Sequence, residues 1–73
     1  MEPKRLIEMA NQIAAFYASE PDLDAASAGV ADHIERFWDP RMRRILLEQA
    51  SAGNETIAPL VGRALREHGQ RLG

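Results

Sequence analysis

Cysteine is absent from this 73-residue chain, and its absence excludes several kinds of site. Without a thiol, the chain cannot form a disulfide, build a thiolate zinc site, ligate an iron–sulfur cluster through cysteine or use a cysteine nucleophile. Aromatic residues make up only 5% of the sequence, and its apolar runs are too short to cross a bilayer. The N-terminal residues show no secretory signal pattern. We therefore expect a single domain over residues 1–73, soluble and cytoplasmic.

No strong excess of either charge is present, since 9 Lys and Arg residues face 11 Asp and Glu residues, for a net charge of -2. This balance provides no overall attraction to nucleic acid or to an anionic membrane, so we expect neither as a partner. No P-loop, nucleophile elbow or dinucleotide fingerprint occurs in the sequence. A chain of this length also has little room for an enclosed pocket. The sequence therefore predicts a protein that has no catalytic residues and is not an enzyme by itself.

Helical periodicity is present in four segments, and no segment alternates with a period of two. The predicted helices cover residues 3–19, 24–37, 40–52 and 59–68. Three of them begin with proline, which suits the first helical position, and Gly53 is expected to end the third. We predict an all-α fold, a small compact bundle of about four short helices without a sheet.

The predicted helix faces give expectations about packing. The first segment is apolar around half of its circumference, with Phe16 and Tyr17 included, and this width predicts two neighbours, either within the fold or in a partner. In the second segment, Asp32 and Arg36 are expected to pair at the i,i+4 spacing, and Phe37 continues the apolar stripe.

Capping residues can be assigned to the later helices. Asp22 or Asp24 is expected to cap the second, and Asp39 the third. Ala58 is a poor cap for the fourth helix, so we expect that helix either to fray or to be capped by Thr56.

The turn between the second and third segments is the most informative part of the chain, and we call residues 37–44 the corner. As a candidate partner interface it comprises Phe37, Trp38, Asp39, Pro40, Arg41, Met42, Arg43 and Arg44. The aromatic pair either wedges the two helices apart or anchors an interface, and both hold if Phe37 packs inward and Trp38 outward.

The arginines of the corner also have two interpretations. Asp32, Glu35 and Asp39 can neutralise them, or the arginines can dock on a carboxylate-rich partner surface. A helix-turn-helix nucleic-acid module is the alternative from another class, because arginines open the second helix of the pair, although the net charge disfavours it. The two histidines are expected at the surface or the core edge, and we assign no metal ligands.

A longer residue pattern surrounds the corner and begins in the first helix. It consists of Met9-Ala10-Asn11-Gln12-Ile13-Ala14-x-Phe16-Tyr17 and Gly29-Val30-Ala31-Asp32-His33-Ile34-x-x-Phe37-Trp38-Asp39-Pro40-Arg41-Met42-Arg43, with a weaker continuation through Ala58-Pro59-Leu60-Val61 to Ala64-Leu65. With this pattern the chain resembles the delta subunit family of NAD-dependent, molybdenum-containing formate dehydrogenases over about Lys4 to His68. One departure is Ala58, where members of the family often place Asp or Ser before the proline.

The resemblance implies an accessory subunit of a soluble complex that interconverts formate and carbon dioxide. In that family the alpha subunit holds a bis-molybdopterin guanine dinucleotide molybdenum site and iron–sulfur clusters. The beta and gamma subunits carry FMN, further clusters and the reduction of NAD. The resemblance implies that this chain binds no cofactor and docks on the alpha subunit in a structural or assembly role. A maturation role, in which it aids molybdenum cofactor insertion, is the alternative.

Overall fold

Residues 2–73, which the computed structural model describes, form four α-helices and no strand. The helices are α1 (Pro3–Phe16), α2 (Leu23–Phe37), α3 (Pro40–Ser51) and α4 (Pro59–Leu72). The Cα radius of gyration is 10.8 Å, which matches the ~11 Å expected of a compact chain of this length. The predicted all-α bundle is therefore confirmed.

Helix boundaries follow the local signals in most places. The Asp22 carboxylate caps α2 by accepting hydrogen bonds from the backbone N–H groups of Asp24 and Ala25, at 3.0 and 3.2 Å. Asp39 caps α3 in the same way, accepting from the N–H of Met42 at 3.0 Å. Gly53 follows α3 with a φ of 76°, the left-handed conformation that ends helices at glycine. The predicted caps at Asp39 and Gly53 are thus confirmed, and Asp22 caps α2.

The start of α4 is fixed by a residue from another helix. Thr56 is not its cap, because the Thr56 hydroxyl donates to Asn54 Oδ1 at 2.6 Å. Instead, Asn11 of α1 accepts from the N–H of Ala58 and donates to the carbonyl of Thr56, both at 2.9 Å. The prediction of a Thr56 cap is therefore wrong, and Asn11 anchors the loop before α4 to α1.

The most extensive contact between two helices is that of α2 with α4, and α1 and α3 pack against this pair to enclose the core. α1 contacts all three other helices rather than the predicted two, and Phe16 at its end is 79% exposed. The burial of apolar side chains between the helices is the main contribution to the stability of a small bundle. The large buried side chains are Leu6, Ile7, Val30, Ile34, Trp38, Leu46, Val61, Leu65 and Leu72.

Polar side chains also join α2 to α4. Ser27 is fully buried and donates to Glu67 Oε1 at 2.7 Å, and Glu67 accepts from Arg63 Nε at 3.1 Å. Arg63 also pairs with Asp24 at the start of α2. These contacts tie the first half of α2 to α4.

At the other end of α2, Arg71 pairs with both Asp32 and Glu35, the latter at 2.9 Å. These hydrogen bonds, first the one to Glu35 and then the one to Asp32, raise the pKa of Arg71 above its usual value. The predicted Asp32–Arg36 pair is wrong, because Asp32 is bound by Arg71. Arg71 lies in a part of α4 beyond the predicted end at residue 68. The helix continues to Leu72 even though His68 has non-helical φ and ψ of -125° and 15°.

We expect stability to fall in acid through Glu67, and Ser27→Ala to reduce that loss. The hydrogen bond from Ser27, followed by the hydrogen bond and charge of Arg63, holds the pKa of Glu67 below its ordinary value of 4.5. A carboxyl with a lowered folded-state pKa stabilises the fold above its ordinary pKa, and this contribution is lost as pH falls through the lowered value. Thermal unfolding measured from about pH 6 to about pH 3 checks the expected slope.

Glu48→Gln is the control, since Glu48 is exposed on α3 and its side chain forms no ion pair with residues 2–73. Its acid slope should match that of the wild type. A Ser27→Ala variant with the full wild-type slope would contradict the assignment to Glu67.

Candidate partner-binding corner

The backbone of the corner is held by hydrogen bonds on both sides of a very short turn. Only Trp38 and Asp39 separate α2 from α3. The N–H of Trp38 donates to the carbonyl of Ile34 at 2.9 Å, and the carbonyl of Asp39 accepts from the N–H of Arg43 at 3.2 Å. Together with the Asp39 side-chain cap and Pro40 at the first position of α3, these bonds fix where the side chains of residues 37–44 emerge.

The two aromatic side chains of the corner point in the opposite directions to those predicted. Trp38 is 6% exposed and belongs to the core, whereas Phe37 is 70% exposed. The expectation that Phe37 packs inward and Trp38 outward is therefore wrong. The reason is the end of the helix, since Phe37 is the last residue of α2 and Trp38 has extended φ and ψ of -96° and 137°. Helical periodicity alone puts Phe37, three positions after Ile34, on the apolar face, but the change of backbone direction at Trp38 brings the second ring into the core instead.

Phe37 is not isolated on the surface, because His33 lies one turn earlier on α2. The two ring centroids are 4.8 Å apart, with the ring planes at 45°. Their i,i+4 spacing was visible in the sequence as a pair that shares one helix face. The two tilted rings form an aromatic patch beside the corner.

The arginines of the corner are not neutralised by direct pairing. Arg41 and Arg44 are exposed, and Met42 packs half-buried against the core. Within residues 2–73, no ion pair with a carboxylate is formed by Arg41, Arg43 or Arg44, nor by Arg36 just before the corner. The expected neutralisation is wrong for a physical reason, which is that each proposed acid has another partner.

These acids are occupied elsewhere in the fold. Asp32 and Glu35 both bind Arg71, and the side chain of Asp39 caps α3. Sequence reasoning missed Arg71 because the two acids lie more than thirty positions before it, and no local spacing links them. The corner therefore keeps its positive charge.

Arg43 differs from the other arginines of the corner in its burial. The residue is half-buried, and its Nε is buried without a hydrogen-bond partner among residues 2–73. The terminal Nη groups make no hydrogen bond within these residues and are not enclosed. Arg43 thus has a buried Nε, while its Nη groups are not fully buried.

The described residues offer no ligand set for a metal or cluster. No three His, Asp or Glu side chains of residues 2–73 are grouped so that they could hold a metal ion, and the sequence has no cysteine. The molybdenum and iron–sulfur groups that the resemblance places in other subunits do not fit this donor set. None of the helices in the described part combines the length and apolar character needed to cross a membrane.

Comparison with known proteins identifies a family. The family model described as NADH-dependent formate dehydrogenase delta subunit, FdsD, matches residues 5–65, a stretch that contains the whole corner. No curated protein and no solved structure matches the chain. Because the family model covers most of the sequence and the resemblance in residues 9–43 lies inside it, the chain belongs to the FdsD family of formate dehydrogenase delta subunits.

Proposed function

We propose that this chain is a non-catalytic accessory subunit of a cytoplasmic NAD-dependent formate dehydrogenase complex, and that it docks on the catalytic alpha subunit through the corner. Membership of the delta subunit family supports the complex. In this proposal the chain acts as one domain, and the molybdenum cofactor, iron–sulfur clusters, FMN and NAD are bound by the alpha, beta and gamma subunits. The absence of cysteine supports that division, since no cluster can be ligated here through thiolate.

The observation that carries the proposal is an exposed aromatic ring beside unpaired arginines on a rigid turn. Phe37 is 70% exposed, and unlike the other exposed large apolar side chains, Phe16 and Leu23, it lies in the same short segment as the unpaired Arg41 and Arg44. Aromatic residues and arginine are enriched in protein interfaces and among the residues that dominate binding energy. Because the caps and the buried Trp38 already fix this turn, docking requires little further ordering.

The size of the chain is compatible with a docking role. A standard interface buries about 800 Å² on each partner, which is a large share of the 4776 Å² surface of this chain. One face is thus enough to hold the subunit in the complex.

Co-purification of the complex with variant delta subunits tests the docking site. Phe37→Glu is expected to lower retention of the delta subunit by at least about tenfold, because it places a charge where an aromatic ring should be buried. Phe16→Glu is the matched control, since Phe16 is a similarly exposed phenylalanine at the end of α1 and the substitution adds the same charge. It should be retained like the wild type. Circular dichroism of both variants verifies that they fold, and full retention of Phe37→Glu would reject docking through the corner.

The molybdenum content of the alpha subunit separates an accessory role from the maturation alternative. We expect complexes assembled without the delta subunit to contain full molybdenum but to dissociate faster. Low molybdenum per alpha subunit would support maturation instead. Formate turnover by the purified delta chain would contradict the non-catalytic role.

A further inference from the structure

The fold separates the arginines that are ion-paired from those that are not. Arg63 and Arg71 of α4 bind the carboxylates of Asp24, Asp32, Glu35 and Glu67. The guanidinium groups of Arg41, Arg43 and Arg44 in the corner, and that of Arg36 just before it, form no ion pair within residues 2–73. One end of the molecule is thus positively charged, although the whole chain carries a net charge of -2.

Arg71 maintains this separation. Asp32 lies four positions before Arg36 on α2, the spacing at which acid and base pair well on a helix. Glu35 directly precedes Arg36. Both carboxylates are nevertheless bound by Arg71, so neither pairs with the arginines of the corner.

The position of the arginines in α3 also favours the binding of an anion beside them. Arg41, Arg43 and Arg44 lie in the first turns of α3, where the helix dipole disfavours positive charge. The carboxylate at that helix end, Asp39, already accepts the N–H of Met42. An added anion near these side chains would relieve their mutual repulsion.

Arg43 is the residue best suited to bind that anion. Its Nε is buried without a partner, and its Nη groups make no hydrogen bond within residues 2–73, so the guanidinium group is partly held by the fold and still has unused donors. Two parallel N–H groups on a fixed plane match the two oxygens of a carboxylate.

We infer that the protein surface that receives the corner presents a carboxylate to Arg43, beside an apolar recess for Phe37 and acidic side chains opposite Arg41 and Arg44. This inference rests on the proposed function, because it specifies the chemistry of the surface on which the corner docks. An acidic protein fits better than a nucleic acid, since the family of the chain is that of a formate dehydrogenase subunit.

A zero-length cross-link in the assembled complex tests the carboxylate directly. Arg43→Lys places an amine at this position, and a carbodiimide should join it to an Asp or Glu of the partner, identified by mass spectrometry. The matched control is Arg66→Lys, because Arg66 is an exposed arginine on α4 without an ion pair in residues 2–73 and lies outside the corner. Its cross-link to the same partner acid should be absent.

Retention in the complex gives a second measurement that does not depend on cross-linking. Arg43→Gln is expected to increase the dissociation rate of the delta subunit about tenfold or more, and to weaken its dependence on salt. Arg66→Gln should change neither quantity. Arg41→Gln, at a fully accessible position, provides the same comparison if the half-buried position 43 does not tolerate glutamine.

The outcomes distinguish this inference from the proposed function. If Phe37→Glu releases the subunit but neither Arg43→Gln nor Arg41→Gln does, and no cross-link forms, docking stands and the carboxylate is rejected. If none of these variants releases the subunit, docking through the corner itself is rejected. Salt-sensitive binding of the delta chain to random duplex DNA, lost in Arg43→Gln, would overturn the acidic protein in favour of nucleic acid.

Discussion

Replacing Trp38 with alanine is expected to reduce the free energy of unfolding by about 3–5 kcal/mol, the range seen for large aromatic residues in packed cores. Trp38 is 6% exposed and packs within the main core cluster. A 73-residue chain has a total stability of only about 4–11 kcal/mol. The substitution is therefore expected to remove at least about a quarter of the stability of the fold.

Phe37→Ala is the matched comparison, because it removes the neighbouring aromatic ring from an exposed position. We expect it to change stability by less than about 1 kcal/mol, as is usual for surface substitutions. Urea denaturation followed by circular dichroism measures both values. Equal losses in the two variants would show that the burial assigned to Trp38 is incorrect.

Two other substitutions at the same positions separate an effect on stability from an effect on docking. Trp38→Phe retains an aromatic core residue, so it should fold and remain in the complex. Phe37→Glu should fold and leave it. A tryptophan that acted as a direct anchor would reverse this order, with Trp38→Phe released and Phe37→Glu retained.

The helices were predictable because their signals are local. The Asp39 cap, Pro40 and Gly53 each act within a few residues, and their chemistry does not depend on the rest of the fold. The end of α4 was not predictable in this way. In its last turn, Leu72 is buried in the core and Arg71 pairs with Asp32 of α2. Both contacts require the tertiary structure.

The corner was located correctly in the chain, but its exposed ring was misassigned. Periodicity places Phe37 on the same face as the buried Val30 and Ile34, and that face was predicted correctly. The directions of the two rings depend instead on the extended backbone of Trp38 after the last residue of α2, and helical periodicity does not describe that residue. The charge state of the corner was also not predictable, since it depends on Arg71 binding Asp32 and Glu35 across the bundle.

Gly29 on α2 provides the second large expected effect, because α1 ends against it. A Cβ added at Gly29 would lie 2.5–2.9 Å from three ring atoms of Tyr17, closer than nonbonded carbon atoms approach. The ring of Tyr17 packs against the core and lies edge-on to the ring of Phe16, with centroids 5.4 Å apart. The ring therefore has limited freedom to withdraw, and the glycine allows α1 and α2 to pack closely.

Gly29→Ala is expected to destabilise the fold by about 1–3 kcal/mol, the usual cost of overpacking, even though alanine is the better helix former by about 1 kcal/mol. Gly62→Ala is the control, since a Cβ on that α4 glycine meets only the flexible end of Arg66, at 3.4 Å. That variant should gain up to about 1 kcal/mol from helix propensity alone. In a Tyr17→Ala background the clash is absent, so Gly29→Ala should become neutral or stabilising there. Denaturant unfolding of the wild type, the two single variants and the double variant measures the coupling between positions 17 and 29. Additive effects would mean that the ring of Tyr17 does not restrict Gly29.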